Sequence, residues 1–163
     1  MRTFILAGIA ALSVTLGGCG MMSNEADDNI AKVKIGDEEI AAARAKARAT
    51  LPEFWERLDK PTMFETNFGL KFNLHHNRPD LGEGELIWTS DVKRLKDGMV
   101  GAYLDNDPLT DGYVNGQYVE FSEDAITDWQ IEREGKFDGH FSTRILLAQS
   151  SPEQAEMIKA KLW

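Results

Sequence analysis

Three kinds of hydrophobic spacing follow one another along the chain. Apolar residues run almost unbroken from Phe4 to Leu16 and then stop. From Asp37 to Ala49, alanines are interleaved with Arg, Lys and Glu, acids first and bases toward the end, which matches the helix dipole and predicts a helix. Leu51-Pro52 should interrupt it, because the residue before a proline avoids the helical region. Pro52 can then open a further turn or two, with Phe54, Trp55 and Leu58 facing inward, and Pro61 closes that piece. Beyond it the period drops to two: Phe68, Leu70, Phe72 and Leu74 alternate with Gly69, Lys71, Asn73 and His75, the mark of a half-buried strand.

Shorter strand signals follow. Glu85 to Leu95 and Met99 to Leu104 flank Asp97-Gly98, a dipeptide that supplies positive φ in a tight hairpin. Tyr118 to Phe121, Ile126 to Arg133 and Phe141 to Ala148 are further strand candidates. At the end, Ser151-Pro152-Glu153-Gln154 combines an N-cap serine, a proline at the first helical position and a capping-box glutamine, so a terminal helix should run to about Leu162. The fold expected is α+β: an antiparallel sheet of about five or six strands, preceded by one helix and followed by another. Leu70, Phe72, Ile87, Trp88, Ile131, Ile145 and Leu147 should lie buried between sheet and helices.

The opening apolar run, preceded by Arg2, is too short for a bilayer span of roughly 20 residues, and it leads through Gly17-Gly18 to Cys19, the only cysteine. This is the pattern of a secretory leader, and Leu16-Gly17-Gly18-Cys19 resembles a bacterial lipoprotein signal, in which the thiol is acylated and the chain is cut in front of it. The organisation expected is a cleaved signal peptide at 1–18, a flexible tether at 19–36 and one domain at 37–163. Ile30 to Ile35 could alternatively form a short strand. A coil of that length typically reaches roughly 20–25 Å, enough to hold the domain clear of the lipid headgroups. Gly20 is not the aspartate that favours inner-membrane retention in enterobacterial lipoproteins, so by that resemblance the outer membrane is slightly favoured. With 18 Lys+Arg against 27 Asp+Glu, the net charge of -9 has the wrong sign for gripping phosphate backbones, and nucleic acid is excluded as a partner.

Ordered landmarks from the alanine-rich helix onward carry a family likeness. They are Ala47-Arg48-Ala49-Thr50-Leu51-Pro52-Glu53-Phe54, Glu85-Leu86-Ile87-Trp88, Asn106-Asp107-Pro108, Gly116 to Phe121, Ile126-Thr127-Asp128-Trp129, and Gly135-Lys136 followed by Gly139 to Leu147. In this order the chain resembles the YegJ-like family, domain of unknown function 2314, from roughly Ile40 to Gln149. The resemblance implies a compact α+β domain and no particular catalysis.

Enzyme signatures are missing from the sequence. No Gly-x-Ser-x-Gly elbow, phosphate loop or His-Glu-x-x-His occurs, and Gly82-Glu83-Gly84 reads as a turn rather than a dinucleotide fingerprint. His75 and His76 would point to opposite faces of a strand, so no metal site is expected from them, with or without His140, and no cofactor is expected either. Asp105, Asn106, Asp107 and Asp111 surround Pro108 without calcium-loop spacing and read as a solvated turn. Among the aromatics, Trp88 should share a core-facing side of its strand with Leu86 and Val92, while Tyr113, between Gly112 and Asn115-Gly116, is the loop residue expected to be exposed for partner contact.

Pairing Ile126 to Arg133 with Phe141 to Ala148 so that Trp129 and Phe141 both face inward requires an odd loop of three or five residues around Gly135. That register sets Asp128 opposite Ser142 and predicts an Asp128–Arg144 ion pair beside Gln130 and His140 on the outer face. Arg144 held by Asp128 could bind an anion; the simpler alternative is a surface bridge that pins the hairpin. Taken together, the sequence points to a lipid-anchored, periplasm-facing cell-envelope protein acting as a non-catalytic binding module for a protein, peptide or glycan. The alternatives are a hydrolase acting on cell-envelope material and a purely structural envelope lipoprotein.

Overall fold

The computed structural model describes residues 37–81, 84–147 and 150–163. The apolar leader, Cys19, the expected tether and Gly82-Glu83 lie outside the described residues. In chain order the elements are α1 (Asp37–Asp59), β1 (Glu65–Asn73), β2 (Leu86–Arg94), β3 (Met99–Leu104), β4 (Tyr118–Ser122), β5 (Ile126–Arg133), β6 (Lys136–Gly139), α2 (Phe141–Leu147) and α3 (Pro152–Lys159). The strands form one six-stranded antiparallel sheet in the order β4-β3-β2-β1-β5-β6. The architecture is the expected α+β arrangement, with β1 central. Among the described residues no helix is long and apolar enough to cross a membrane.

One face of the sheet carries the principal core, in which Phe54, Trp55 and Leu51 of α1 meet Leu70, Phe72, Ile87, Leu104, Trp129 and Ile131. Phe72 of β1 stacks on Phe121 of β4 with ring centroids 3.9 Å apart. In a flat sheet those strands would stand roughly 14 Å apart, so the sheet curls around this core. Ser151 and Gln154 form the capping box foreseen at the start of α3. Asp97 and Gly98 take the left-handed φ values, 56° and 72°, that the β2–β3 turn needs.

Four expectations are corrected. First, α1 runs straight through Pro52. A mid-helix proline costs about 3 kcal/mol, but Phe54 and Trp55 are buried behind it, each contributing roughly 1.5–3 kcal/mol or more. Pro52 and Arg48 both lie on the exposed side, where water can satisfy the carbonyl that proline leaves unpaired.

Second, Phe141 to Leu147 is helix, and the partner of β5 is the short strand β6. The connection is the two-residue turn Glu134-Gly135, both with positive φ (51° and 77°), and not an odd loop. After Gly139 the chain leaves the ladder at His140, itself left-handed at φ 51°. Thus β6 pairs only with Gln130–Arg133, and α2 lies beside the first half of β5 on the edge that β6 leaves open.

Third, Trp88 and Val92 do not share a face. Asp91, at φ 50°, lies in a bulge between Ser90 and Lys93. The extra residue turns Val92 toward Ile87 and the principal core, whereas Trp88 is buried on the other side. Fourth, the polar side of β1 is not solvated: Lys71 is only 2% exposed. Of the residues expected to be buried, Ile145 and Leu147 are only half-buried.

Candidate functional site

A line of side chains crosses the three middle strands on the face opposite the principal core. The register pairs Lys71 of β1 with Trp88 of β2 on one side and with Asp128 of β5 on the other. The Lys71 Nζ lies 4.8 Å from the Trp88 ring centre and donates to Ser142 Oγ at 3.2 Å. Asp128, fully buried, accepts hydrogen bonds from Trp129 N, Phe141 N, Ser142 N and Ser142 Oγ at 2.9, 3.1, 2.8 and 2.6 Å. It therefore caps α2 from a neighbouring strand, supplying acceptors to N–H groups that a helix start leaves without partners. Burial pulls the Lys71 ammonium down to about 8, against the opposing pull of the Asp128 charge.

His140 closes this cluster. Its ring packs against Trp88 and Phe137 at 4.8 and 5.0 Å, its Nδ1 meets Thr143 Oγ1 at 3.0 Å, and its Nε2 is buried without a hydrogen-bond partner. Burial, with the Lys71 and Arg144 cations behind it, depresses its pKa to about 3. The ring is neutral when folded, whereas the unfolded chain takes up a proton below about pH 6.5. Its contribution to stability is therefore complete above pH 6.5 and lost as pH falls toward 3. Unfolding free energies from denaturant titrations between pH 6.5 and 4.5, above most carboxylate titration, should fall with a slope approaching about 1.4 kcal/mol per pH unit. His140→Gln should flatten that limb. A wild-type profile already flat over this window would contradict the buried neutral ring.

The sequence-predicted residues come together only in part. Asp128 meets Ser142, and His140 joins the same cluster through Trp88, but the Asp128–Arg144 ion pair does not form: Arg144 Nε donates to the Gly139 carbonyl at 2.9 Å. Successive helical residues turn by about 100°, so position 144 lies far round α2 from position 142. Tyr113 is half-buried against the core rather than exposed, and Leu109 and Val114 are the exposed apolar residues of that loop. The acidic turn is held from within. Asn106 Oδ1 accepts from Trp88 N at 3.0 Å, and the buried Glu85 carboxylate accepts from Leu109 N, Thr110 N and Thr110 Oγ1. His75 Nε2 approaches the same Thr110 hydroxyl at 2.6 Å. Among the described residues no group of three or more His, Cys, Asp or Glu side chains is placed to hold a metal ion.

The other face carries an open cleft of about 720 Å³ between α1 and the β5–β6 hairpin. Thr50, Trp129 and Phe141 line one part, and Met63 and Phe64 of the α1–β1 turn form a strongly exposed apolar rim. Arg57 organises the polar side. Its Nε, Nη2 and Nη1 bond Glu65, Asp138 and Glu53 at 2.6, 2.7 and 3.3 Å. Burial alone would raise the Glu65 carboxyl, but hydrogen bonds from Thr62 and Arg57 outweigh it and hold the group below the usual range. Burial would likewise lower the Arg57 guanidinium, but its bonds to Asp138 and Glu65 outweigh that and raise it. Sequence spacing gives no sign of this cleft, because its parts lie far apart in the chain and meet only through the β1–β5 pairing.

Comparison with known proteins bears on the whole domain. A family model described as "Uncharacterized protein conserved in bacteria (DUF2314)" matches residues 37–162. The chain belongs to that family. It is also similar to "Uncharacterized protein YegJ" of Escherichia coli (strain K12), 31% identical over 84 residues. That match covers 51% of this chain and 54% of the YegJ protein, so the chain spans about half the length of its curated relative. No solved structure gives a significant match.

Several segments that carry the likeness to the DUF2314 family hold the fold together. Thr50 accepts from Trp129 Nε1 at 3.0 Å, joining α1 to β5. Glu85 and Asn106 fasten the loop between β3 and β4, and Asp128 fastens α2. Lys71 and Arg57, central to the two polar networks, fall outside those segments.

Proposed function

We propose that this DUF2314 protein is a lipid-anchored binding module of the bacterial cell envelope, facing the periplasm, and that the cleft between α1 and the β5–β6 hairpin receives its partner. The observation that carries the reading is the cleft's composition: Met63, 87% exposed, and Phe64, 57% exposed, stand at the rim of an aromatic-lined depression. Adjacent exposed large apolar side chains are informative where scattered single ones are not. A hydrolase working by general acid catalysis needs a carboxyl that keeps its proton near neutral pH. Arg57 does the reverse here, favouring the ionised form of Glu65. A protein, peptide or glycan would dock without chemistry.

The anchor rests on Leu16-Gly17-Gly18-Cys19 alone. Cys19→Ser should abolish incorporation of a clickable fatty acid and leave the chain soluble or uncleaved, because the acylated thiol is gone. Undiminished label would sink the lipoprotein reading. For the cleft, affinity capture from membranes should recover a partner with the wild-type chain and lose it with Phe64→Ser. Recovery unaffected by that substitution would move the binding surface elsewhere.

A further inference from the structure

The donors and acceptors of the cleft are unequally spent. All three guanidinium nitrogens of Arg57 are committed to Glu65, Asp138 and Glu53. Arg133 reaches Asp138 through Nε at 3.6 Å and lays its guanidinium over Trp163 at 4.3 Å. The Trp129 indole N–H goes to Thr50, whose hydroxyl turns back onto the carbonyls of Lys46 and Ala47. Thr62 gives both its backbone N–H and its side chain to Glu65. The side-chain donors of Arg57, Trp129, Thr50 and Thr62 are thus engaged within the protein, and Arg133 is drawn toward Asp138 and Trp163.

Acceptors remain open. Glu53, with a side chain 57% exposed, is bonded through Oε1 only and by the longest of the Arg57 contacts. Asp138 takes both arginines on Oδ2, leaving Oδ1. Three carboxylates line the cleft against two guanidiniums, within a chain of net charge -9. At the end toward Phe141, Lys46 lies over the ring at 5.4 Å. A ligand that arrives as an acceptor meets arginines already turned to the cleft's own carboxylates, and one that arrives as a donor finds two carboxylate oxygens beside an apolar rim.

We infer that the cleft takes a peptide segment in which a lysine or arginine adjoins large apolar side chains, the cation on Glu53 and Asp138 and the apolar groups on Met63, Phe64 and Phe141. This rests on the cleft being the binding surface, and it names the ligand's chemistry. Charge complementarity supplies the selectivity and the apolar contact most of the affinity.

The test uses the full-length protein with three blocked pentapeptides: acetyl-Gly-Leu-Lys-Phe-Gly-amide, the same peptide with Glu replacing Lys, and acetyl-Gly-Gly-Lys-Gly-Gly-amide. Titration followed at the Trp129 indole N–H by NMR should show binding of the first and little of the other two. Glu53→Gln, on an exposed helix position, should weaken it about three- to fivefold, the range of one exposed charge contact, and added salt should do the same. Glu120→Gln, a carboxylate on β4 far from the cleft, should change nothing, and thermal melts confirm that each variant folds. Equal binding of the acidic peptide overturns the charge assignment while leaving the cleft as the site. Failure of the first peptide to bind up to millimolar concentration, or binding indifferent to Phe64→Ser, overturns the cleft reading itself.

Discussion

Asp128→Ala should destabilise the domain by about 3–5 kcal/mol, because buried donors left without an acceptor cost about 1–3 kcal/mol each and the buried Lys71 charge loses the carboxylate that attracts it. Three backbone N–H groups and the Ser142 hydroxyl converge on this fully buried carboxylate. Removing it leaves the N–H groups of Phe141 and Ser142 without their acceptor and the Lys71 ammonium without its counter-charge. Lys71→Met should be milder, because Asp128 keeps all four of its donors and the methionine fills the space beside Trp88. The double variant Lys71→Met/Asp128→Ala should recover part of the loss of Asp128→Ala, since the buried cation is then gone as well. Urea unfolding of the three variants would measure this. A loss below about 1 kcal/mol for Asp128→Ala would show that water reaches the site and that the burial is illusory.

The sequence disclosed those features of the fold that depend on neighbouring residues. Asp97-Gly98 specifies its turn because left-handed backbone is needed there, and Ser151 with Gln154 caps a helix whatever surrounds it. Pro52 misleads because the local preference to stop a helix loses to the burial of Phe54 and Trp55, which only the folded sheet supplies. Phe141 to Leu147 misleads in another way. Its apolar residues at 141, 145 and 146 fit a helical stripe as well as a strand, and Glu134-Gly135 is a less familiar version of a two-residue hairpin turn than Asn-Gly.

The polar site was half legible. Register reasoning brought Asp128 to Ser142 and His140, the right residues, through the wrong geometry: a helix cap stands where a strand pair was expected, which is why Arg144 is lost from the pair. Lys71 was hidden because a lysine in an alternating strand reads as solvent-facing. Only the position of β1 between β2 and β5, with Trp88 and Asp128 in register on both sides, makes it a buried charge.

Phe72→Ala should cost about 3–5 kcal/mol, the usual price of deleting a buried phenylalanine ring. Phe72 is 3% exposed, pairs with Ile87 and Ile126 on the two neighbouring strands, and stacks on Phe121 across the curled sheet. The stacking has its own signature: a double-mutant cycle with Phe121→Ala should return a coupling of about 0.5–1.5 kcal/mol beyond the separate losses of buried area. Thermal or urea unfolding of the four proteins in the cycle gives both quantities. Because successive side chains of a strand face opposite ways, the phase that places Phe72 in the principal core also places Lys71 on the other face with Trp88 and Asp128. An unchanged melting temperature for Phe72→Ala would put β1 out of phase and remove the buried lysine with it. A full loss for Phe72→Ala together with a negligible one for Asp128→Ala would keep the core and isolate the fault at the β5–α2 junction, so the two substitutions test the two faces of one strand separately.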